Sequence, residues 1–84
     1  MFKFILRYFL SPLHWASANG HVVEVNRLIQ AGRDVNEQNE YGSTTIHAAS
    51  ENGHVEVITA LLAAGADKTI KDNIGKTPNV YAKN

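Results

Sequence analysis

The sequence contains no cysteine. A disulfide-stapled secreted scaffold and a cysteine-ligated zinc site are therefore both excluded. Nor is there an excess of charge: 8 Lys and Arg stand against 8 Asp and Glu, for a formal net charge of zero. A dedicated nucleic-acid binder shows a basic excess, so no nucleic-acid partner is expected. No apolar run approaches the ~20 residues that cross a bilayer as a helix, and no membrane partner is expected either. The expected compartment is cytoplasmic or otherwise intracellular. With 84 residues, one small domain is the ceiling. A chain of this length buries only about 60–65% of the surface it exposes when unfolded, and burial alone has to hold it together.

The charges that are present are unevenly placed. Lys3 and Arg7 open the chain without an acid. The middle carries Glu24, Asp34, Glu37, Glu40, Glu51 and Glu56 against Arg27 and Arg33. The last third carries Lys68, Lys71, Lys76 and Lys83 against Asp67 and Asp72. The expected surface has an acidic middle between basic ends, which bears on partners more than on fold.

The chain repeats itself with a period of 33 residues. His14 falls on His47, Ala16 on Ala49, Ser17 on Ser50 and Asn19-Gly20-His21-Val22 on Asn52-Gly53-His54-Val55. Leu28, Ala31, Gly32, Asp34 and Gly42 likewise fall on Leu61, Ala64, Gly65, Asp67 and Gly75. Thr77 and Pro78 open a further partial copy. The expected division is a non-repeat segment 1–10, repeats at 11–42 and 43–75, and a partial repeat at 76–84.

Each copy predicts a helix, a turn, a second helix and a loop. Ser11 and Thr44 stand where an N-cap hydroxyl would satisfy an orphan amide, and Pro12 takes the first helical position, where its missing N–H is harmless. Gly20 and Gly53 end the first helices. The second helices carry Val22, Val25, Leu28 and Ile29, and then Val55, Ile58, Leu61 and Leu62, as one narrow apolar face. Gly32 and Gly65 end them. The polar, glycine-containing stretches that follow predict projecting, hairpin-like loops.

These residues resemble the ankyrin-repeat family. The likeness is carried by Ser11-Pro12-Leu13-His14-Trp15-Ala16, Asn19-Gly20-His21, Leu28-Ile29 and Ala31-Gly32, and by Thr44-Thr45-Ile46-His47-Ala48-Ala49, Gly53-His54, Leu61-Leu62 and Ala64-Gly65-Ala66-Asp67. Thr77-Pro78 continues it. The resemblance implies an all-α fold: a short solenoid of helix-turn-helix units joined by hairpin-like loops. Thr45, Arg33, Asn79 and Val80 depart from the family pattern. Asn79 stands in a slot usually filled by a buried leucine, where an unpaired amide would cost about 1–3 kcal/mol. Arrays of this kind normally need at least three repeats and polar ends, so marginal free-standing stability is expected.

Chemistry finds little support. The four histidines form two His-x6-His pairs, which is not the i, i+4 spacing that sets two metal ligands on one helical face. They recur at the repeat period, as structural residues would. The resemblance implies that the first histidine of each copy bonds the preceding hydroxyl and nearby backbone, and that the second lies at the turn between helices. Ser17 and Ser50 lack a Gly-x-Ser-x-Gly elbow and fall at small packing positions. No glycine-rich phosphate loop follows a strand. No catalytic residue, metal, cofactor or small-molecule substrate is expected. Trp15 is expected to be partly buried between helices.

Three readings of residues 1–10 are open. Phe2, Ile5, Leu6 and Phe9 share one helical face, which suits a cap over the first repeat. The segment also suits a scar of a truncated longer gene, or a short membrane-surface or export signal. The first predicts a helix over residues 2–9.

Function follows from the resemblance: ankyrin repeats bind proteins through loop tips and the exposed side of the first helices. The family's contact positions map onto Gln38, Glu40, Tyr41, Ser43, Glu51 and Asn52, and onto Lys71, Asn73, Ile74 and Lys76. The first set is acidic and the second basic, which suits a partner of mixed charge better than a polyanion. The second function carried is a truncated or decayed fragment of a longer ankyrin-repeat protein with no independent function. The mismatch of residues 1–10 and the end at Asn84 favour it. The resemblance further extends to Leu28, Asp34, Val35 and Asn36, which look like the surroundings of asparagines hydroxylated in ankyrin repeats, with Thr69 at the matching place in the second copy.

Overall fold

In the computed structural model, residues 11–80 are described. The expectation of a helix over residues 2–9 lies outside them. Among the described residues there are four helices and no strand: α1 (Pro12–Ala18), α2 (Val22–Gln30), α3 (Thr45–Glu51) and α4 (Val55–Ala63). Helices α1 and α2 pair antiparallel across a tight turn, as do α3 and α4. The two pairs then stack, α1 on α3 and α2 on α4. The expected all-α solenoid is what the chain forms.

The core runs between the pairs. Leu13, Ala16, Val25, Leu28, Ile46, Ala49, Val57, Ile58 and Leu61 are buried, and Trp15, Val22 and Ile29 pack against them. Each inter-helix turn bends through a glycine of positive φ, +71° at Gly20 and +70° at Gly53, a conformation that a Cβ disfavours.

Three features differ from the sequence-based expectation. First, the apolar stripe of α4 is rotated. Val55 is 67% exposed and Leu62 37%, while Val57 is buried. Val57 matches Glu24 in the first copy, which stays at the surface and pairs with Arg27. Val22 and Ile29 are covered because α4 lies beside α2. No described helix lies on the far side of α4, so their counterparts Val55 and Leu62 face outward.

Second, the two N-caps are not equivalent. Thr44 has extended backbone (φ −90°, ψ 174°) and forms a capping box with His47. Its hydroxyl accepts from the His47 amide (3.4 Å), and its own amide donates to Nδ1 of His47 (3.1 Å). Ser11 has φ −147° and ψ 69°, and its side chain makes no cap bond. The expected bond from His14 to the preceding hydroxyl is therefore absent, and His14 Nδ1 is buried without a partner among the described residues. The Ser17 hydroxyl is likewise buried, with no partner among the described residues, whereas Ser50 donates to Ile46 O at 2.6 Å.

Third, residues 76–80 begin the partial copy without forming a helix. Pro78 is buried and Val80 packs on the core, while Asn79 is exposed. Its amide stays in water, and the desolvation cost expected for it does not arise.

The unequal caps make a testable pair. Thr44→Ala should lower stability by about 1–2 kcal/mol, and Ser11→Ala should leave it nearly unchanged. Equal losses in urea melts of the two variants would contradict the difference in cap geometry.

Candidate interaction surface

The two loops end in matching tips, built by the same local device. In the first, Asn39 Oδ1 accepts from the amides of Tyr41 (2.9 Å) and Ser43 (3.1 Å). The backbone closes around it, Asn39 N to Ser43 O and Gly42 N to Asn39 O, both at 2.9 Å. One period later Asp72 Oδ1 accepts from Ile74 (3.0 Å) and Lys76 (2.9 Å). Short polar side chains that bond the backbone two residues on are the usual makers of such turns. The carboxylate of Asp72 differs from the amide of Asn39 in carrying charge. The Lys76 amide does most to lower its pKa from 3.8; desolvation opposes it, and the Ile74 amide and the Lys76 charge add to the lowering. Asp67, earlier in the same loop, is also lowered, first by the Thr69 hydroxyl and then by its amide.

The tips are tied to each other. Asn73 N donates to Tyr41 O (2.9 Å), and Asn73 Nδ2 donates to Glu40 O (3.0 Å). Gln38 Nε2 donates to Gly42 O (2.8 Å) and reaches Lys71 O (3.4 Å). Gly42, at φ +73°, lies so close to Asn73 that a Cβ would stand 2.5 Å from its side-chain oxygen. Lower in the loops, Asn36 Oδ1 accepts from Asp67 N (2.7 Å) and Thr45 Oγ1 donates to Val35 O (2.8 Å). Asn36 is half-buried in this arrangement, so an enzyme acting on it has to lift the loop from the stack.

Histidines fix the tips to the helices. His14 Nε2 donates to Ser43 O (2.8 Å), and His47 Nε2 donates to Lys76 O (2.9 Å). His54 Nε2 donates to Ala18 O in the previous repeat (3.0 Å). His21 instead meets the Trp15 ring edge-on, with centroids 5.0 Å apart. Among the described residues, no three or more His, Asp or Glu side chains gather as a metal site would require, and no helix is long and apolar enough to cross a membrane.

Each expected contact residue has a definite place. Tyr41 (68% exposed) and Ile74 (77%) stand at equivalent positions on the bonded tips. Glu40, Lys71 and Lys76 are exposed beside them, and Ser43 is half-buried at the base. Gln38 and Asn73 are exposed, but their amides are engaged in tying the tips. Glu51 and Asn52 are exposed at the end of α3, where Asn52 Nδ2 donates to Ala48 O (3.0 Å). Sequence reasoning missed Asn39 and Asp72 as the turn-makers. Their signal was present, since both are short polar residues three positions before a glycine and one period apart.

The family model of ankyrin repeats (3 copies) matches residues 4–82. The chain belongs to the ankyrin-repeat family. Ankyrin repeats are generally protein–protein interaction modules, and the family is typically non-catalytic. No curated protein matches this ankyrin-repeat chain.

The lowered carboxylates set a pH dependence. A carboxyl whose folded pKa is depressed contributes stability that is present above its ordinary value and lost as pH falls through the folded one. For Asp67 and Asp72 that window lies below 3.8. Denaturation measured from neutral to strongly acid pH should show a loss there. Asp72→Asn, which keeps an acceptor as Asn39 does, should flatten part of it, and an unchanged acid limb would refute the assignment.

Proposed function

We propose that the chain is a non-catalytic module that binds a protein partner through its loop tips and the exposed ends of its first helices. The observation that supports this reading best is the pair Tyr41 and Ile74. Two large apolar side chains stand in water on neighbouring tips that are hydrogen-bonded to each other and to the histidines beneath. A surface held this way loses little conformational freedom on docking, so less of the contact energy is offset. Tyrosine adds contact area with few rotatable bonds. Glu40 and Glu51 on one side, and Lys71 and Lys76 on the other, would steer a partner of mixed charge, with an effect that shrinks as salt rises.

A second reading, a fragment of a longer array, is favoured by the outward Val55 and Leu62 on α4. A cooperative helical melt of the 84-residue chain would speak against it.

Two substitutions separate surface from scaffold. Tyr41→Ala should weaken binding to a partner recovered by pull-down by about 1–2 kcal/mol and leave the melt nearly unchanged. His47→Ala removes bonds at both ring nitrogens and should cost about 1–3 kcal/mol of stability. It should affect binding only through the folded fraction. If His47→Ala stays folded yet loses binding, while Tyr41→Ala is silent, the tip-centred reading is wrong.

A further inference from the structure

The two loop tips are alike in build and opposite in charge. Residues 37–43 hold the acids Glu37 and Glu40 and no lysine or arginine. Residues 70–76 hold Lys71 and Lys76 against Asp72. Glu40, Lys71 and Lys76 are exposed, whereas Asp72 is half-buried and turns Oδ1 to the amides of Ile74 and Lys76. Glu40 stands beside Tyr41, and the two lysines flank Ile74. Among the described residues, none of Glu40, Lys71 and Lys76 takes part in an ion pair. Neighbouring charges of opposite sign are thus left for a partner, each next to an exposed apolar side chain.

Such a surface is complementary to itself. The bond from Asn73 N to Tyr41 O (2.9 Å) fixes the acidic tip against the basic one. A second copy turned by half a revolution about an axis between the tips sets its basic tip on this acidic tip. Its acidic tip then falls on this basic one. Tyr41 of each copy comes to Ile74 of the other, and Glu40 of each to the lysine pair of the other. Every contact is made twice, as a two-fold interface requires. A second copy brought up without the rotation would set acid on acid and base on base, which charge repulsion disfavours. A partner of one sign would match one tip and be repelled by the other. The chain as a whole has a formal net charge of zero, so two copies meet no long-range barrier.

We propose that the tips bind a second copy of this chain, tip to tip, in a two-fold dimer; this rests on the tip-centred reading above and names the partner. Contact confined to two loop tips is smaller than a standard interface of roughly 800 Å² per partner. The dimer is therefore weak and exchanges readily. It also covers the residues that would hold any other protein, so self-association and capture of a foreign partner exclude each other.

The test is sedimentation velocity of the 84-residue chain at concentrations up to about 1 mM. Circular dichroism confirms that each variant is folded. The chain should dimerise reversibly, and more weakly as salt rises. Tyr41→Ala should weaken the dimer about tenfold, and Val55→Asp, on the exposed side of α4, should leave it unchanged. Glu40→Lys makes the acidic tip more basic, and the double variant Lys71→Glu with Lys76→Glu makes the basic tip acidic. Each alone should dimerise several-fold more weakly than the parent, and an equal mixture of the two should recover dimer. No foreign partner and no association through α4 predicts that recovery. A chain that stays monomeric overturns the dimer. If Tyr41→Ala still weakens capture of a foreign protein, the tip-centred reading survives that result. Association that ignores Tyr41→Ala but is lost in Val55→Asp, or a mixture that recovers nothing, overturns the proposal equally.

Discussion

The stack depends on a single imidazole used at both ends. The Thr44 amide donates to His47 Nδ1, so that nitrogen carries no proton, and Nε2 holds the one that Lys76 O accepts. One ring thus starts a helix and anchors the next loop. It satisfies backbone groups in both repeats that would otherwise be buried at a cost of about 1–3 kcal/mol each. His14 makes only the second of these bonds, because Ser11 does not take the extended backbone that would bring its amide to Nδ1.

Much of this was legible in the sequence, because the period supplied a second copy of every argument. The helices and the glycine turns follow from residues that recur, and the place of Tyr41 and Ile74 on the loop tips follows from the family resemblance. What escaped are properties that depend on neighbours. Ser11 and Thr44 are chemically alike, and only their backbone angles set them apart. Val57 is apolar where Glu24 is charged, yet whether it or Val55 turns inward depends on which side of α4 another helix covers. Gln38 and Asn73 read as free amides in a loop, and only the approach of the two tips shows that they are engaged.

The tips show how a loop without regular structure is made rigid. Each is closed by one side-chain oxygen that takes two amides, and then the two are joined by a backbone bond and two amide side chains. The entropy of ordering is met by bonds inside the chain, made by backbone groups and by the side chains of Gln38, Asn39, Asp72 and Asn73. The projecting side chains of Tyr41 and Ile74 take no part in these bonds; only their backbone does.

The bonds between repeats also have a shared form. His14, His47, His54 and Asn73 reach across with a side chain, and the groups that receive them are the main-chain oxygens of Ser43, Lys76, Ala18 and Glu40. A main-chain oxygen is present whatever residue carries it. A unit that keeps its own donors can therefore follow almost any other, and the side chains on the receiving unit are free to diverge. Such a joint tolerates duplication and reshuffling of units in evolution without matched changes on both sides of the seam.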